Sequence, residues 1–248
     1  FLAMAMARYD IPVFLAEKPD LLSRPPMALV TNALEAVRNY FRYEDLFSCL
    51  KTGLAGLDWD EIDKLENYVL TWNIRGGAWE REWTEHPDGY GLSIDENAKA
   101  QLAELNTLRK RAIAPFSALR EALAGEQPAG DCVRALYAFL LAVDAPQRMT
   151  DRAAGHEQAG RLQLADEYRQ LWEILVSAME QFAWVCGDMP LTLDRFAQLF
   201  RLVLGEYDVG TIPVSLDRVT CGNIERACTE NAKYVILLGS RDLKTMVI

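Results

Sequence analysis

Two histidines, His86 and His156, are all the imidazole that this chain of 248 residues possesses, and that bounds its chemistry at once. A nucleophile–histidine–acid triad needs one of them beside a serine or cysteine, and a multi-histidine zinc site needs more than the sequence has. His156-Glu157 begins like a metalloprotease helix, but Gly160 occupies the place of the second metal-binding histidine. Gly155 and Gly160 have the spacing of a phosphate-binding loop. Arg161-Leu162 follows them instead of Lys-Ser/Thr, and no strand precedes them, so they read as small residues where helices approach. The acidic group Asp58, Asp60 and Glu61 could in principle hold a divalent cation, but its form is that of a helix cap. No pair of carboxylates is enclosed by apolar residues in a way that would raise a pKa for acid–base work.

The cysteines add no site. Cys49, Cys132, Cys186, Cys221 and Cys228 are scattered without a Cys-x-x-Cys pair, which fits reduced, core-filling thiols better than a disulfide framework or a zinc site. The formal net charge is -10, from 36 acidic and 26 basic residues, so a whole-surface grip on nucleic acid is excluded and any such contact is local. Arg109-Lys110-Arg111 is the densest basic run; on a helix three adjacent charges fan around the axis, which reads as a solvated face.

Hydrophobic residues make up 50% of the chain, enough for a substantial core. Apolar runs such as Tyr234 to Leu238 fall far short of the roughly 18 residues a membrane span requires. Phe1 to Ala7 lacks the basic leader of a signal peptide, and the expected location is cytoplasmic.

The elements that must position any site come in a telling order. Ile11 to Leu15 reads as a buried strand. Ser23, Pro25 and Pro26 then start a helix whose Val30, Leu34, Val37 and Phe41 form a stripe, and Leu46, Phe47 and Leu50 mark a second. Asp58 to Glu61 is a capping box for a helix through Ile62, Leu65, Val69 and Trp72. Residues 73 to 94 carry glycines, Pro87 and two tryptophans, Trp79 and Trp83, which with Trp72 predict an irregular but packed connection. Asp95 caps a long helix with a seven-residue repeat of Ala98, Leu105, Ala112 and Leu119, kinked at Pro115. A helix around Val133 to Leu140 follows the Pro128-Ala129-Gly130-Asp131 break. The clearest period runs Leu164, Tyr168, Leu171, Leu175, Ala178, Phe182 and Val185, stopped by Gly187. Thr192 caps a last helix, with Phe196, Leu199, Phe200 and Val203, that closes at Gly205. Strand character returns at Val214 to Thr220 and Lys233 to Leu238. A strand, a long helical stretch and two further strands is the pattern of a helical insertion into an α/β sheet.

At two places the residues resemble the B subunit of the bacterial AddAB ATP-dependent helicase/deoxyribonucleases. The first comprises Ile11 to Phe14, Arg42 to Phe47, Leu50 to Leu54, Leu65 to Leu70, and Ile74-Arg75-Gly76 followed by Trp79; the second comprises Leu216 to Thr220 with Gly222, and Lys233 to Gly239. The resemblance implies a middle piece of that subunit, from the second motor domain of a UvrD-like helicase relative. Its family-motif residues, candidates for DNA or partner contact, are Arg75, Gly76, Trp79, Asp217 and Arg218. The bland uses of Arg75 are stacking on Trp79 or capping a helix end. Active UvrD-like motors carry a Thr-x-His-x-x-Lys-Gly-Leu-Glu stretch; Thr220-Cys221-Gly222-Asn223-Ile224-Glu225 lacks the histidine and the Lys-Gly, so the motor half resembles a degenerate one. After Gly239 the chain reads Ser240-Arg241-Asp242-Leu243-Lys244, a departure that fits a chain cut short there.

The expected fold is therefore mostly α with a small α/β part, a helical insertion bundle between strands of a partial RecA-like sheet. Residues 1–56 and 190–248 would supply the RecA-like elements and 57–189 the insertion. No cofactor belongs to this chain: ATP, magnesium and an iron-sulfur cluster would sit in other parts of the parent complex, whose A subunit and DNA are the expected partners. Two other classes stay open, a free-standing helical module that binds a partner through its heptad faces and a small hydrolase built from distant carboxylates.

Overall fold

A computed structural model describes residues 21–207 without a break, and outside them residues 5–6, 8–9, 11, 13–16, 219–222 and 234–236. The described residues are mostly helical. Two compact units separate, one of residues 1–19 with 210–248 and one of residues 20–209.

Among the described residues, the first unit contains one strand pair. β1 (Val13–Ala16) and β4 (Val219–Gly222) run parallel, with Phe14 opposite Thr220 and Leu15 opposite Cys221. A parallel pair needs a crossover, and here the chain travels through the entire helical stretch between the two strands. β1 overlaps the expected Ile11 to Leu15 and runs one residue past it, and β4 overlaps the end of the expected Val214 to Thr220, whose first five residues lie outside the described residues. The third expected strand, Lys233 to Leu238, is not seen at its three described residues. Tyr234 and Ile236 are 89% and 81% exposed and outside any element, so the apolar run is not sandwiched there as a doubly buried strand would be. Among the described residues the parallel sheet has two strands, so a RecA-like sheet is not established.

The second unit is helical. α1 (Pro25–Arg38) opens with two prolines in its first turn, where the missing N–H groups have no helical partner anyway. The sequence suggests one apolar stripe; instead most of its circumference is buried, since Met27, Leu29, Val30, Ala33, Leu34, Ala36 and Val37 all lie inside. α1 is the central post: it packs against α2 (Tyr43–Leu50), α4 (Glu96–Ala122), α7 (Leu162–Cys186) and α8 (Leu193–Glu206). α3 (Trp59–Trp72) packs on α2 and α4. Residues 57 and 190 both lie within the second unit.

The caps are where side-chain chemistry places them. Asp58 accepts from the Glu61 amide at 2.9 Å and Glu61 accepts from the Asp58 amide at 3.0 Å, a complete capping box. Asp95 accepts from the Ala98 amide at 2.8 Å, and Thr192 from that of Arg195 at 3.4 Å. The repeat Ala98, Leu105, Ala112 and Leu119 is buried, and α4 runs through Pro115. In α7 the middle of the stripe, Leu171 to Phe182, is buried while Leu164 and Val185 at its ends are exposed.

Two features depart from expectation. α5 (Ala129–Ala142) is entered from a strand, β2 (Glu126–Pro128), antiparallel to β3 (Pro190–Thr192). α6 (Ala145–Gln158) precedes the clear period and buries only Ala145, Met149 and Ala153. Gly155 and Gly160 are not points of close helix approach: a Cβ on either would meet nothing within 4 Å, and Gly160 instead takes the left-handed φ of 72° that closes α6.

Candidate functional site

The glycine- and tryptophan-rich connection after α3 is an irregular but heavily packed segment. α3 ends at Asn73, whose φ of 50° is left-handed, and a short 3-10 turn follows at Gly76–Ala78. Trp79 is fully buried against Phe47 and Trp83, with ring centroids 6.2 and 5.4 Å away, and Trp83 stacks on Tyr68 at 4.6 Å. The indole of Trp83 donates to the Ala78 carbonyl and that of Trp72 to the His86 carbonyl, both at 3.0 Å, whereas the buried indole nitrogen of Trp79 has no hydrogen-bond partner among the described residues. The Tyr68 hydroxyl donates to the Glu85 carbonyl and accepts from the Glu85 amide. Burial is the main reason its pKa rises to about 12, and the nearby Glu85 charge adds to it.

Arg109 is the unexpected member. Far from lying on a solvated face, it is 3% exposed, donating to the Trp79 carbonyl at 2.6 Å and to Asn106 Oδ1 at 3.1 Å, with its guanidinium 5.9 Å from the Trp83 ring. Asn106 in turn accepts from the Trp83 amide and donates to the Trp83 and Leu102 carbonyls. Among the described residues no carboxylate forms an ion pair with this buried cation. Burial lowers the pKa of Arg109, and the more distant charge of Glu82 opposes that shift. Its position was readable: Leu105, Arg109, Ala112 and Phe116 step by 4, 3 and 4, the spacing of one buried helix face. Arg111 points elsewhere, to an ion pair with Glu61.

At the near end of the connection Gly76 has a φ of 51°, and a Cβ there would stand 3.0 Å from Tyr40 Cδ1. Tyr40 is itself held in a left-handed backbone, under the Arg120 guanidinium at 4.3 Å from its ring, with its hydroxyl donating to Glu80. The turn is therefore fixed from both sides.

What it presents is Arg75. This residue is exposed and does not stack on Trp79; its Nε donates to Asn73 Oδ1 at 2.8 Å, beside the C-terminal end of α3. Arg75, Asn73, Ile74, Val69 and Leu70 from the end of α3, with Arg42, Tyr43 and Glu44 from the start of α2, line a groove of about 310 Å³. Beside it Tyr43 and Lys51 both donate to Glu66 Oε1 at 2.6 Å. Partial burial disfavours the Glu66 carboxylate, but these two bonds outweigh it and hold its pKa below the ordinary value. A general acid would need the opposite shift.

Of the motif residues, the structure brings Arg75, Gly76 and Trp79 into one segment; Asp217 and Arg218 lie outside the described residues. Arg42 and Asn73 join Arg75 only through the meeting of α2 with the end of α3. Among the described residues no three His, Cys, Asp or Glu side chains are placed to hold a metal, and no helix is long and apolar enough to cross a membrane. Cys49 is buried, which pushes its thiol pKa far up and makes it inert.

No protein-family model matches the chain. Curated relatives do. The chain is 34% identical over 240 residues to a protein of Acetivibrio thermocellus, 33% over 236 to one of Clostridioides difficile and 34% over 239 to one of Desulforamulus reducens. Each is named as the B subunit of an ATP-dependent helicase/deoxyribonuclease. These matches take in 94–95% of the chain but 20–21% of each relative, so the chain spans about a fifth of their length.

Proposed function

We propose that this chain, homologous along 95% of its length to a segment of the B subunit of ATP-dependent helicase/deoxyribonucleases, serves as a non-catalytic, helicase-like middle region of such a subunit. In that role it scaffolds the DNA path and the contact with the A subunit during double-strand break processing. The observation that carries this reading is the parallel pairing of Val13–Ala16 with Val219–Gly222 from either side of the helical stretch. A parallel pair formed across a long helical stretch supports an α/β sheet with a helical insertion, and a partial RecA-like sheet with a UvrD-like insertion is the arrangement that suits a subunit so named. Nucleotide, magnesium and an iron-sulfur cluster are assigned to other parts of the parent complex.

The rival helical module is disfavoured by the packing. The heptad faces that would bind a partner helix, Ala98 to Leu119 and Leu171 to Phe182, are already filled within the unit. The test of the scaffold reading is hydrolysis: the purified chain with magnesium-ATP and labelled DNA should release neither phosphate nor nucleotides above the buffer rate. Turnover at an enzymatic rate would overturn it.

A further inference from the structure

The far end of the connection after α3 carries an apolar tip that nothing in the second unit covers. Tyr90, Leu92 and Ile94 are 75%, 54% and 43% exposed. They fall within five consecutive residues, so even a fully stretched chain keeps them within about 14 Å of one another, and they form a single patch. Apolar side chains gathered in this way inside a polar rim mark a place where one protein is covered by another.

The tip is held ready. His86 organises its base: the carbonyl accepts from the Trp72 indole at 3.0 Å and from the Gly89 amide at 3.1 Å, and Nδ1 accepts from the Asp88 amide at 3.1 Å. The Tyr90 ring rests on Trp72, with centroids 4.2 Å apart. Gly89 and Gly91, with φ of 113° and 77°, turn the backbone on either side of Tyr90. An aromatic side chain presented in a fixed position loses little entropy when a partner covers it.

The rim selects the partner. From Glu82 to Ala98 the chain carries five carboxylates, Glu82, Glu85, Asp88, Asp95 and Glu96, and no lysine or arginine. All five residues are exposed, and among the described residues Glu82, Glu85 and Asp95 have no ion-pair partner, while Asp88 reaches His86 at 4.0 Å and Glu96 reaches Lys99 at 2.7 Å. No three acidic, histidine or cysteine side chains among the described residues are placed to hold a metal, so the rim is a set of separate charges and not a cation site. Such a rim repels a phosphate backbone, and a second copy of a chain with net charge -10 brings more of the same sign. Its complement is a protein surface on which lysine and arginine surround an apolar socket.

We propose that the tip at Tyr90, Leu92 and Ile94 docks a partner protein through a basic, amphipathic segment, the apolar side chains filling the socket and the carboxylates pairing with its rim. This deepens the scaffold reading, which requires a partner contact and gives it no surface, and rests on it.

The experiment is fluorescence anisotropy on the full chain with a labelled helical peptide that has leucine on one face and lysine on the other. A leucine–glutamate counterpart, an oligolysine and an oligothymidylate serve as comparisons. The leucine–lysine peptide should bind more tightly than all three. Tyr90→Ser and Leu92→Ser should each weaken it about tenfold. Leu92→Ser should do so with the melting temperature unchanged, whereas Trp184→Ser, at an 86% exposed side chain on α7, should leave binding as it was. Glu85→Gln with Asp88→Asn should weaken binding and flatten its dependence on salt. A benzophenone on the peptide should label residues 88–94. The proposal is overturned if binding ignores Tyr90 and Leu92, or if oligolysine binds as well as the amphipathic peptide. Capture of the oligothymidylate at the tip, or self-association abolished by Tyr90→Ser in sedimentation, overturns it as well. None of these results touches the scaffold reading, which fails only if the chain hydrolyses ATP or cuts DNA.

Discussion

The guanidinium of Arg109 donates to the carbonyl of Trp79 at 2.6 Å, joining α4 to an irregular segment thirty residues upstream, and among the described residues no carboxylate pairs with the charge. Removing it strands the Trp79 carbonyl and takes one of its two donors from Asn106 Oδ1, which keeps the Trp83 amide. Arg109→Met should therefore destabilise the chain by about 2–4 kcal/mol in urea titrations followed by tryptophan fluorescence. Arg109→Lys keeps the charge but cannot reach both acceptors, and should lose less. Asn106→Leu should cost a similar amount, and the double variant should lose less than the two separate losses added together, because the groups form one network. Strict additivity would mean that the clamp does not exist.

Two glycines should respond to alanine with opposite signs. Gly76→Ala forces a Cβ into a left-handed turn against Tyr40, and a loss of about 1–2 kcal/mol is expected. Gly155→Ala lies inside α6 with open space around it, so a gain of about 0.4–1 kcal/mol is expected. Thermal melts of the two variants check both; a stabilising Gly76→Ala would contradict the turn geometry.

The pH dependence has two limbs. Glu66 is more acidic in the fold than in the unfolded chain, so the unfolded state takes up protons first on acidification. The stability from its bonds to Lys51 and Tyr43 is complete above the ordinary value of 4.5 and drains away as pH falls through the lower folded value. Tyr68 is the reverse: with a folded pKa of about 12 against 10.0, its contribution is complete below pH 10 and is lost as pH rises toward 12. Glu66→Gln should flatten the acid limb and Tyr68→Phe the alkaline one in stability measured against pH. An acid limb unchanged by Glu66→Gln would show that carboxylate to be a spectator.

Local chemistry was legible and tertiary closure was not. The caps at Asp58, Asp95 and Thr192, and the stripe of α4, follow from residue type and spacing within a few turns, and the structure contains all of them. β2 and β3 are three residues each with prolines at their ends, and α6 has a narrow stripe of only Ala145, Met149 and Ala153; neither gives a periodic signal long enough to read. Arg109 was hidden by its neighbours Lys110 and Arg111, although its spacing from Leu105 and Ala112 placed it on the buried face. The groove depends on two helix ends meeting, a long-range event that leaves no mark in sequence around either Arg42 or Arg75. Trp79, by contrast, was expected to be packed because a ring of that size is not left in water.

Strands from the two ends of the helical stretch lie side by side, and a crosslink between them would catch that neighbourhood chemically. Leu15 is opposite the native Cys221 in the parallel register, so Leu15→Cys should bring two thiols within the roughly 4.4–6.8 Å Cα range that a disulfide spans. Mild oxidation of that variant is expected to yield an intramolecular 15–221 disulfide, identified by peptide mass mapping and absent from the parent chain. If the introduced thiol stays reduced while Cys221 remains accessible, or pairs only between molecules, the two strands are not neighbours and the insertion reading is wrong.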